Sequence, residues 1–88
     1  MNPNTIIVDP KDNVAVALTD ISEGETICLP NGEKFQALAS IGFSHKVLLK
    51  DLSKGDDIIK YGEIIAQVNQ DVKQGEWIHV HNLNVKEG

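Results

Sequence analysis

Two histidines near the carboxyl end, His79 and His81, are separated by one residue in a stretch that is predicted to be the last strand, residues 77–81. Successive side chains of a strand point to opposite faces, so both imidazoles would share a face with their Cα atoms about 6.5 to 7 Å apart. Rings at that separation can converge on one metal ion or one anionic ligand. The pair is therefore a candidate catalytic and metal-binding site, and two solvent-facing histidines are the alternative.

A third histidine, His45, precedes Lys46 at the start of another predicted strand. Side chains at such positions often project from the rim of a small β domain, which leaves His45 accessible to a ligand. A catalytic metal site needs a third protein ligand and an open position, and His45 is the remaining histidine of the chain. The sequence leaves open whether His45 meets the pair in space. An ordinary polar residue at a strand start is the alternative.

Lys60, Tyr61 and Gly62 form a further candidate site. Lysine carries a point charge suited to carboxylates, tyrosine both donates and accepts hydrogen bonds, and glycine lets the backbone approach a ligand closely. Cys28 lies in an apolar run and is interpreted as an inert core residue. The sequence has no glycine-rich phosphate loop, nucleophile elbow or cysteine cluster. An active site complete within this chain is therefore not expected.

The elements that must position these residues are marked by a six-residue phrase that occurs three times: an Asp, an aliphatic residue, two polar residues, a Gly and an acid. Each copy follows an aliphatic run and precedes another apolar residue, so the Gly is expected to supply the positive φ of a strand-to-strand turn. The acids of these turns are interpreted as solvated turn residues. Turn 1 covers residues 20–25, turn 2 residues 51–56 and turn 3 residues 71–76.

The runs between these turns predict a small, mostly β domain with at most one or two short helical turns. Residues 14–18 are apolar throughout, which favours burial on both faces of their strand. Residues 38–44 fit either a short helical turn or a loop. The polar ends, residues 1–5 and 84–88, are expected to fray. Further strands are predicted at residues 25–29, 34–37, 46–50 and 64–68.

The size and charge of the chain limit its partners. Its 88 residues are expected to form a single domain, 1–88, near the lower size limit for a self-sufficient core, so an interface with a partner or a homo-oligomer is expected. A net charge of -5 with scattered basic residues argues against binding to nucleic acid or to an anionic membrane. The single cysteine and the absence of a signal-peptide pattern favour a cytoplasmic location. No apolar stretch approaches the ~20 residues that cross a bilayer.

Several segments together carry a resemblance to a known family. They are Asp12-Asn13-Val14-Ala15-Val16-Ala17-Leu18, the His45-Lys46-Val47 start, residues 51–55, Ile58-Ile59-Lys60-Tyr61-Gly62, and the closing Gly75-Glu76-Trp77-Ile78-His79-Val80-His81-Asn82-Leu83. With them the chain resembles the amino-terminal module of altronate and galactarate dehydratases over nearly its whole length. That module is similar to the SAF domain, and the resemblance implies a compact β-clip fold.

The resemblance also implies an activity. Such an enzyme is a hydro-lyase that removes water from a hydroxylated sugar acid, giving a 2-keto-3-deoxy product with the help of a divalent metal, Fe²⁺ or Mn²⁺. Where the enzyme is split, a chain like this one is the small subunit beside a large catalytic dehydratase subunit. A similar small subunit occurs in sulfolactate sulfo-lyase, and other SAF-type domains bind carbohydrate or guide assembly without catalysis. Both remain alternatives.

Site roles follow from the same resemblance, position by position. One departure is Ser44, which stands where the family usually has Gly, so the local loop and its substrate contacts are expected to differ. The catalytic residues implied are His45, His79 and His81, with His79 and His81 also as metal ligands. The substrate-binding residues implied are Lys46, Lys60, Tyr61, Gly62 and Asn82.

Overall fold

A computed structural model of the chain describes residues 2–85. Within that range, short antiparallel strands and one 3₁₀ turn, Val80–Asn82, form the domain. The predicted mostly β fold is confirmed. The strands are β1 (Thr5–Ile6), β2 (Val14–Ala17), β3 (Thr26–Cys28), β4 (Lys34–Gln36), β5 (Lys46–Leu48), β6 (Asp57–Lys60), β7 (Glu63–Val68), β8 (Trp77–Ile78) and β9 (Leu83–Val85).

The central sheet has the strand order β1-β2-β5-β8, and all neighbours are antiparallel. Because successive side chains of a strand point to opposite faces, its residues divide between two cores. Val14 and Leu48 belong to one core, and Ala15 and Val47 belong to the other. The predicted burial on both faces is thus confirmed for β2, whereas Leu18, which was included in that prediction, lies beyond the strand and is 50% exposed.

Two smaller sheets close the two faces of the central sheet. The β3-β4 hairpin contributes Ile27 to the core that contains Ala15. The β6-β7-β9 sheet contributes Ile58 and Ala66 to the core that contains Val14. The central sheet therefore lies between the β3-β4 hairpin and the β6-β7-β9 sheet. This packing fixes the position of the sheet edge at which β5 begins and β8 ends.

The three repeated turns share one hydrogen-bond pattern. In each, the amide of the final acid donates to the carbonyl of the third residue, and the carboxylate of that acid accepts the amide of the third residue. The final acids, which were interpreted as solvated turn residues, thus also stabilise their turns through these bonds. Turns 2 and 3 also hold each other, because Asp51 accepts the Gln74 amide and Asp71 accepts the Lys54 amide, both at 2.9 Å.

A fourth copy of the turn, turn 4, covers residues 40–45 and was not evident in the sequence. The amide of His45 donates to the carbonyl of Gly42 at 3.0 Å, the bond that also closes the other three turns. Ser44 occupies the glycine position with a φ of 68°. Turn 4 pairs with turn 1 through an isolated β-bridge, as turn 2 pairs with turn 3. The copy was hidden because Ser40, Ser44 and His45 replace the Asp, the Gly and the acid.

Two expectations for the carboxyl-terminal part need correction. The strand predicted for residues 77–81 ends at Ile78, where the chain turns into the 3₁₀ segment. Fraying was predicted for residues 84–88, but residues 84 and 85 lie in β9 and pair with β7. The rest of that stretch, residues 86–88, lies outside the described residues.

The amino-terminal expectation also needs correction. Residues 1–5 were predicted to fray, yet Asn4 accepts the Cys28 amide through Oδ1 at 2.8 Å. The Thr5 hydroxyl donates to the Cys28 carbonyl at 2.8 Å, and Thr5 is only 1% exposed. Cys28 is buried, as predicted. Residue 1 lies outside the described residues.

Residues 38–44, for which a helical turn or a loop was open, form a loop that includes most of turn 4. No helix in the part of the chain that the structure describes has the length and apolar character needed to cross a membrane.

Candidate functional site

Four rings gather at the rim of the central sheet, and Trp77 lies at their centre. Its ring centroid lies 5.6 Å from that of His45, 4.8 Å from that of His79 and 5.0 Å from that of His81. The His45 and His79 rings are stacked with centroids 5.5 Å apart. The structure therefore brings together all three histidines that the sequence singled out.

The strand pairing explains why these rings meet. Trp77 on β8 lies opposite Val47 on β5, and His45 comes directly before β5. The pairing of β5 with β8 therefore brings the His45 and Trp77 rings to the same rim. The proximity of His79 and His81 has a different origin from the one predicted. His79 lies between β8 and the 3₁₀ turn and His81 lies within that turn, so they do not alternate along a strand, and their ring centroids are 6.5 Å apart.

Asn82 holds this turn in place. Its Nδ2 donates to the Trp77 carbonyl at 2.8 Å, and its Oδ1 accepts the His79 amide at 3.0 Å. Asn82 is 1% exposed. Its Oδ1 and Nδ2 atoms therefore both make their hydrogen bonds inside the protein. The substrate contact predicted for Asn82 does not fit this position. Its place is structural, because it ties the histidine-bearing turn to the end of β8.

A small cavity opens beside the rings. It has a volume of about 190 Å³ and is lined by Ser44, His45, Lys46, Ile78 and His79. Burial lowers the pKa of Lys46, and the nearby charge of Lys60 lowers it further. The two ammonium groups thus act on each other, although β5 and β6 belong to different sheets. The cavity combines a partly buried cation with two imidazoles.

Lys60, Tyr61 and Gly62 form the tight β6–β7 connection. Lys60 pairs with Glu63, so Tyr61 and Gly62 are the two loop residues, with φ values of 56° and 73°. Two positive φ values match the twist of a hairpin, but they are costly for tyrosine. The Nζ of Lys60 lies 4.8 Å from the Tyr61 ring centroid. Tyr61 is 60% exposed, so its ring is available to a ligand or partner.

The fold itself explains why position 62 is a glycine. Its amide donates to Oδ1 of Asp12 at 2.8 Å, and a Cβ at this position would lie 3.0 Å from Oδ2 of Asp9. The glycine therefore leaves room for the loop that carries the Asp9 and Asp12 carboxylates. Its predicted contact with substrate stays a prediction.

Residues 3–86 match the family described as "Altronate/galactarate dehydratase SAF domain". The chain belongs to this family. Its similarity to characterised relatives is consistent: it is 39% identical to altronate dehydratase of Bacillus subtilis over 77 residues and 38% identical to altronate dehydratase of Escherichia coli over 71 residues. The aligned parts cover 88% and 81% of this chain but only 15% and 14% of those relatives. The SAF domain thus corresponds to a small part of each of these enzymes.

A second kind of relative is a separate subunit. The SAF domain is 38% identical over 53 residues to the (2R)-sulfolactate sulfo-lyase subunit alpha of Chromohalobacter salexigens. That alignment covers 60% of this chain and 56% of the relative. The relatives of this SAF domain are therefore lyases, in which the domain is either a part of a longer chain or a subunit.

The histidines of the SAF domain do not by themselves form a complete metal site. Among residues 2–85, no group of three or more His, Cys, Asp or Glu side chains is arranged to hold a metal ion. One nitrogen of His45, Nδ1, already accepts the indole N–H of Trp77 at 3.0 Å. His79 and His81 can supply at most part of a ligand set, since a catalytic metal usually has three protein ligands.

Two features of the site were missed by sequence reasoning. Trp77 was given no role in the site, although it precedes the His-x-His pair by only two residues. The fourth turn could have been found by allowing Ser for Gly at position 44.

A larger cavity of about 470 Å³ shares no residue with the histidine cavity; it is lined by Ile7, Pro10, Lys11, Asp12, Asn13, Leu29, Asn31, Glu33, Leu49, Lys50 and Ile59.

Proposed function

We propose that this SAF domain is the small component of a sugar-acid dehydratase of the altronate or galactarate type, and that a larger catalytic polypeptide completes its site. The observation that carries the proposal is the cavity in which His45, Lys46 and His79 meet, in a chain of this dehydratase family. The small share of the altronate dehydratases that the chain covers supports a requirement for further polypeptide.

The chemistry of dehydration explains why such residues would be needed. A proton beside a carboxylate is weakly acidic, so its removal requires stabilisation of an enediolate-like intermediate, and a general acid must help hydroxide to leave. Lys46, with Lys60 nearby, provides positive charge for a substrate carboxylate. The imidazoles of His45 and His79 provide groups that bind or transfer a proton at the same cavity.

The Fe²⁺ or Mn²⁺ implied by the family stays a prediction. When bound, such an ion would polarise the substrate carboxylate. His79 and His81 would contribute only part of its ligands, and the rest would come from the larger polypeptide. No step proposed here depends on the ion. Its test is metal analysis of the SAF domain alone and of the assembled complex, with the complex expected to retain the metal.

A second candidate is a subunit of a sulfolactate sulfo-lyase, in which sulfite leaves in place of water. It is favoured by the larger share of those relatives that the chain covers, which reaches 79% for the subunit alpha of Paracoccus pantotrophus. It fits less well because only 60% of this chain is aligned. Both candidates use a cationic site for a small hydroxy acid.

The test is recovery of the assembled enzyme. A tagged SAF domain is expected to co-purify from its source cells with a larger dehydratase polypeptide, and the complex should release a keto acid from altronate or galactarate. Release from sulfolactate with sulfite would select the second candidate. A larger polypeptide that turns over fully without the SAF domain would refute both.

Point variants then distinguish a catalytic from an assembly role. Lys46→Ala and the double variant His79→Ala/His81→Ala are expected to reduce turnover by about 10²-fold or more, the scale of a lost charge-stabilising group or a lost general acid or base. Lys54→Ala, on the exposed turn 2, is the matched control and should leave turnover unchanged. Full turnover in the histidine variant would instead indicate a non-catalytic binding or assembly module.

A further inference from the structure

We propose that Trp77 is a positioning residue that holds His45 in a single tautomer, with its ring proton on Nε2, so that His45 offers a hydrogen-bond donor to the ligand of the cavity. The use of that donor on substrate depends on the proposed function. The tautomer itself does not, because it is set by contacts inside this chain.

The direction of one hydrogen bond decides the tautomer. The indole nitrogen of tryptophan can only donate, and Nε1 of Trp77 lies 3.0 Å from Nδ1 of His45. Nδ1 must therefore accept, which means that it carries no proton. In the neutral ring the proton then resides on Nε2.

The backbone keeps both partners of this bond in place. Trp77 pairs with Val47 across the β5–β8 ladder, and its carbonyl accepts Nδ2 of Asn82. The amide of His45 is fixed by the closing bond of turn 4, and its carbonyl accepts the Ala17 amide at 2.9 Å. The indole N–H therefore meets Nδ1 as a consequence of the fold.

A glycine, Gly42, lies beside the opposite edge of the His45 ring. A Cβ at Gly42 would lie 3.5 Å from Cδ2 and 3.8 Å from Nε2 of His45. Gly42 does not have a positive φ, so its conformation does not require glycine. The corresponding positions of the other three turns carry side chains: Ser22, Ser53 and Lys73. In turn 4 no side chain at position 42 packs against the Cδ2–Nε2 edge of His45.

These features distinguish turn 4, which lines a candidate binding cavity, from the other three turns, which are structural. In turns 1, 2 and 3 the final acid accepts an amide of its own turn. In turn 4 His45 takes that position and lines the cavity with Lys46 instead. An Nε2–H beside an ammonium group presents two donors, which suits an oxygen-rich anion such as the carboxylate or hydroxyl of a hydroxy acid.

The tautomer can be measured on the 88-residue chain alone. Long-range ¹H–¹⁵N spectra of the labelled protein in alkaline buffer distinguish Nε2–H from Nδ1–H rings, and His45 is expected to be the Nε2–H form. Trp77→Phe keeps an aromatic ring but removes the donor. It should lower the ratio of Nε2–H to Nδ1–H at His45 by about two- to tenfold, the effect of one hydrogen bond. Phe43→Leu, an exposed change in the same turn, should leave the ratio unchanged.

A wild-type His45 that carries its proton on Nδ1 would overturn the proposal, and so would a Trp77→Phe spectrum in which the ratio stays the same. Should Trp77→Phe fail to fold, the scalar coupling across the hydrogen bond between Nε1 of Trp77 and Nδ1 of His45 in the wild-type protein decides: its presence is expected, and its absence would overturn the proposal. Gly42→Ala tests the Cδ2–Nε2 edge: it should keep the tautomer but reduce turnover of the assembled enzyme several-fold. Unreduced turnover would refute the role of that edge. Absence of any dehydratase activity in the wild-type complex would refute the proposed function and leave the tautomer result standing.

Discussion

Ser44 is the residue at which the fourth turn departs from the other three, and its replacement by glycine is expected to stabilise the protein. Its φ is 68°, whereas the corresponding glycines have φ values of 87° for Gly24 and 94° for Gly55 and Gly75. Residues with a Cβ are disfavoured in this left-handed region. Ser44 is exposed, and its hydroxyl has no hydrogen-bond partner among residues 2–85 to offset the strain.

The size of the effect follows from two opposing terms. The left-handed conformation costs a residue with a Cβ roughly 1–2 kcal/mol, while the extra freedom of glycine in the unfolded chain costs about 0.5–1 kcal/mol. Ser44→Gly should therefore raise the free energy of unfolding by about 0.5–1 kcal/mol. For a domain of this size that corresponds to a rise in Tm of about 2–8 °C.

The reciprocal change is the control. Gly55 has the same place in turn 2, and a Cβ there would meet nothing within 4 Å. Gly55→Ser should therefore lower Tm by a similar amount through backbone conformation alone. Thermal melts by circular dichroism and urea unfolding with an unchanged m-value measure both variants. An unchanged or lower Tm for Ser44→Gly, together with a lower Tm for Gly55→Ser, would refute the idea that Ser44 is strained.

Three further predictions concern residues of the site and its support. Lys46→Met should raise the free energy of unfolding at neutral pH, because the lowered pKa of Lys46 means that the folded state disfavours its charged form. Between that lowered pKa and the ordinary value of 10.5, the unfolded chain binds more protons than the folded chain. The stability of the wild-type protein therefore rises with pH in that interval. Urea unfolding at several pH values should show this rise in wild type but less of it in Lys46→Met, and equal slopes would contradict it. Asn82→Ala should lower the free energy of unfolding by about 2 kcal/mol or more, since it leaves two backbone groups unpaired, while the exposed Asn84→Ala should have little effect; equal losses in the two would argue against the bracing role. Gly62→Ala should be more destabilising than Gly24→Ala, because only the former meets Asp9, and equal losses would show that this contact gives way freely.

Much of the fold could be predicted from the sequence. Glycines at fixed offsets in turns 1, 2 and 3, with apolar runs between them, specify short strands because each constraint is local. The unbroken apolar character of β2 indicated burial on both faces for the same reason. Fraying was predicted wrongly for Asn4 and Thr5, since their anchoring depends on Cys28, which is distant in sequence.

The site was predicted in part. His45, Lys46 and His79 were selected by residue type and by family resemblance, and the structure brings them to one cavity. The supposed reason, alternation along a final strand, was wrong for both His79 and His81 because the strand ends at Ile78. Asn82 was assigned to substrate by the family resemblance. Only its burial reveals that it braces the turn.

The sequence by itself determined the class of fold, the positions of three turns and the histidines available for chemistry, because turn propensity and residue type are properties of short segments. Tertiary structure decided which of those residues meet. The pairing of β5 with β8 sets Trp77 against His45 and brings Lys46 opposite Ile78, with both residues lining the cavity. Such contacts join residues more than thirty positions apart, as from His45 to Trp77, and only the register of paired strands, set by both cores together, fixes them.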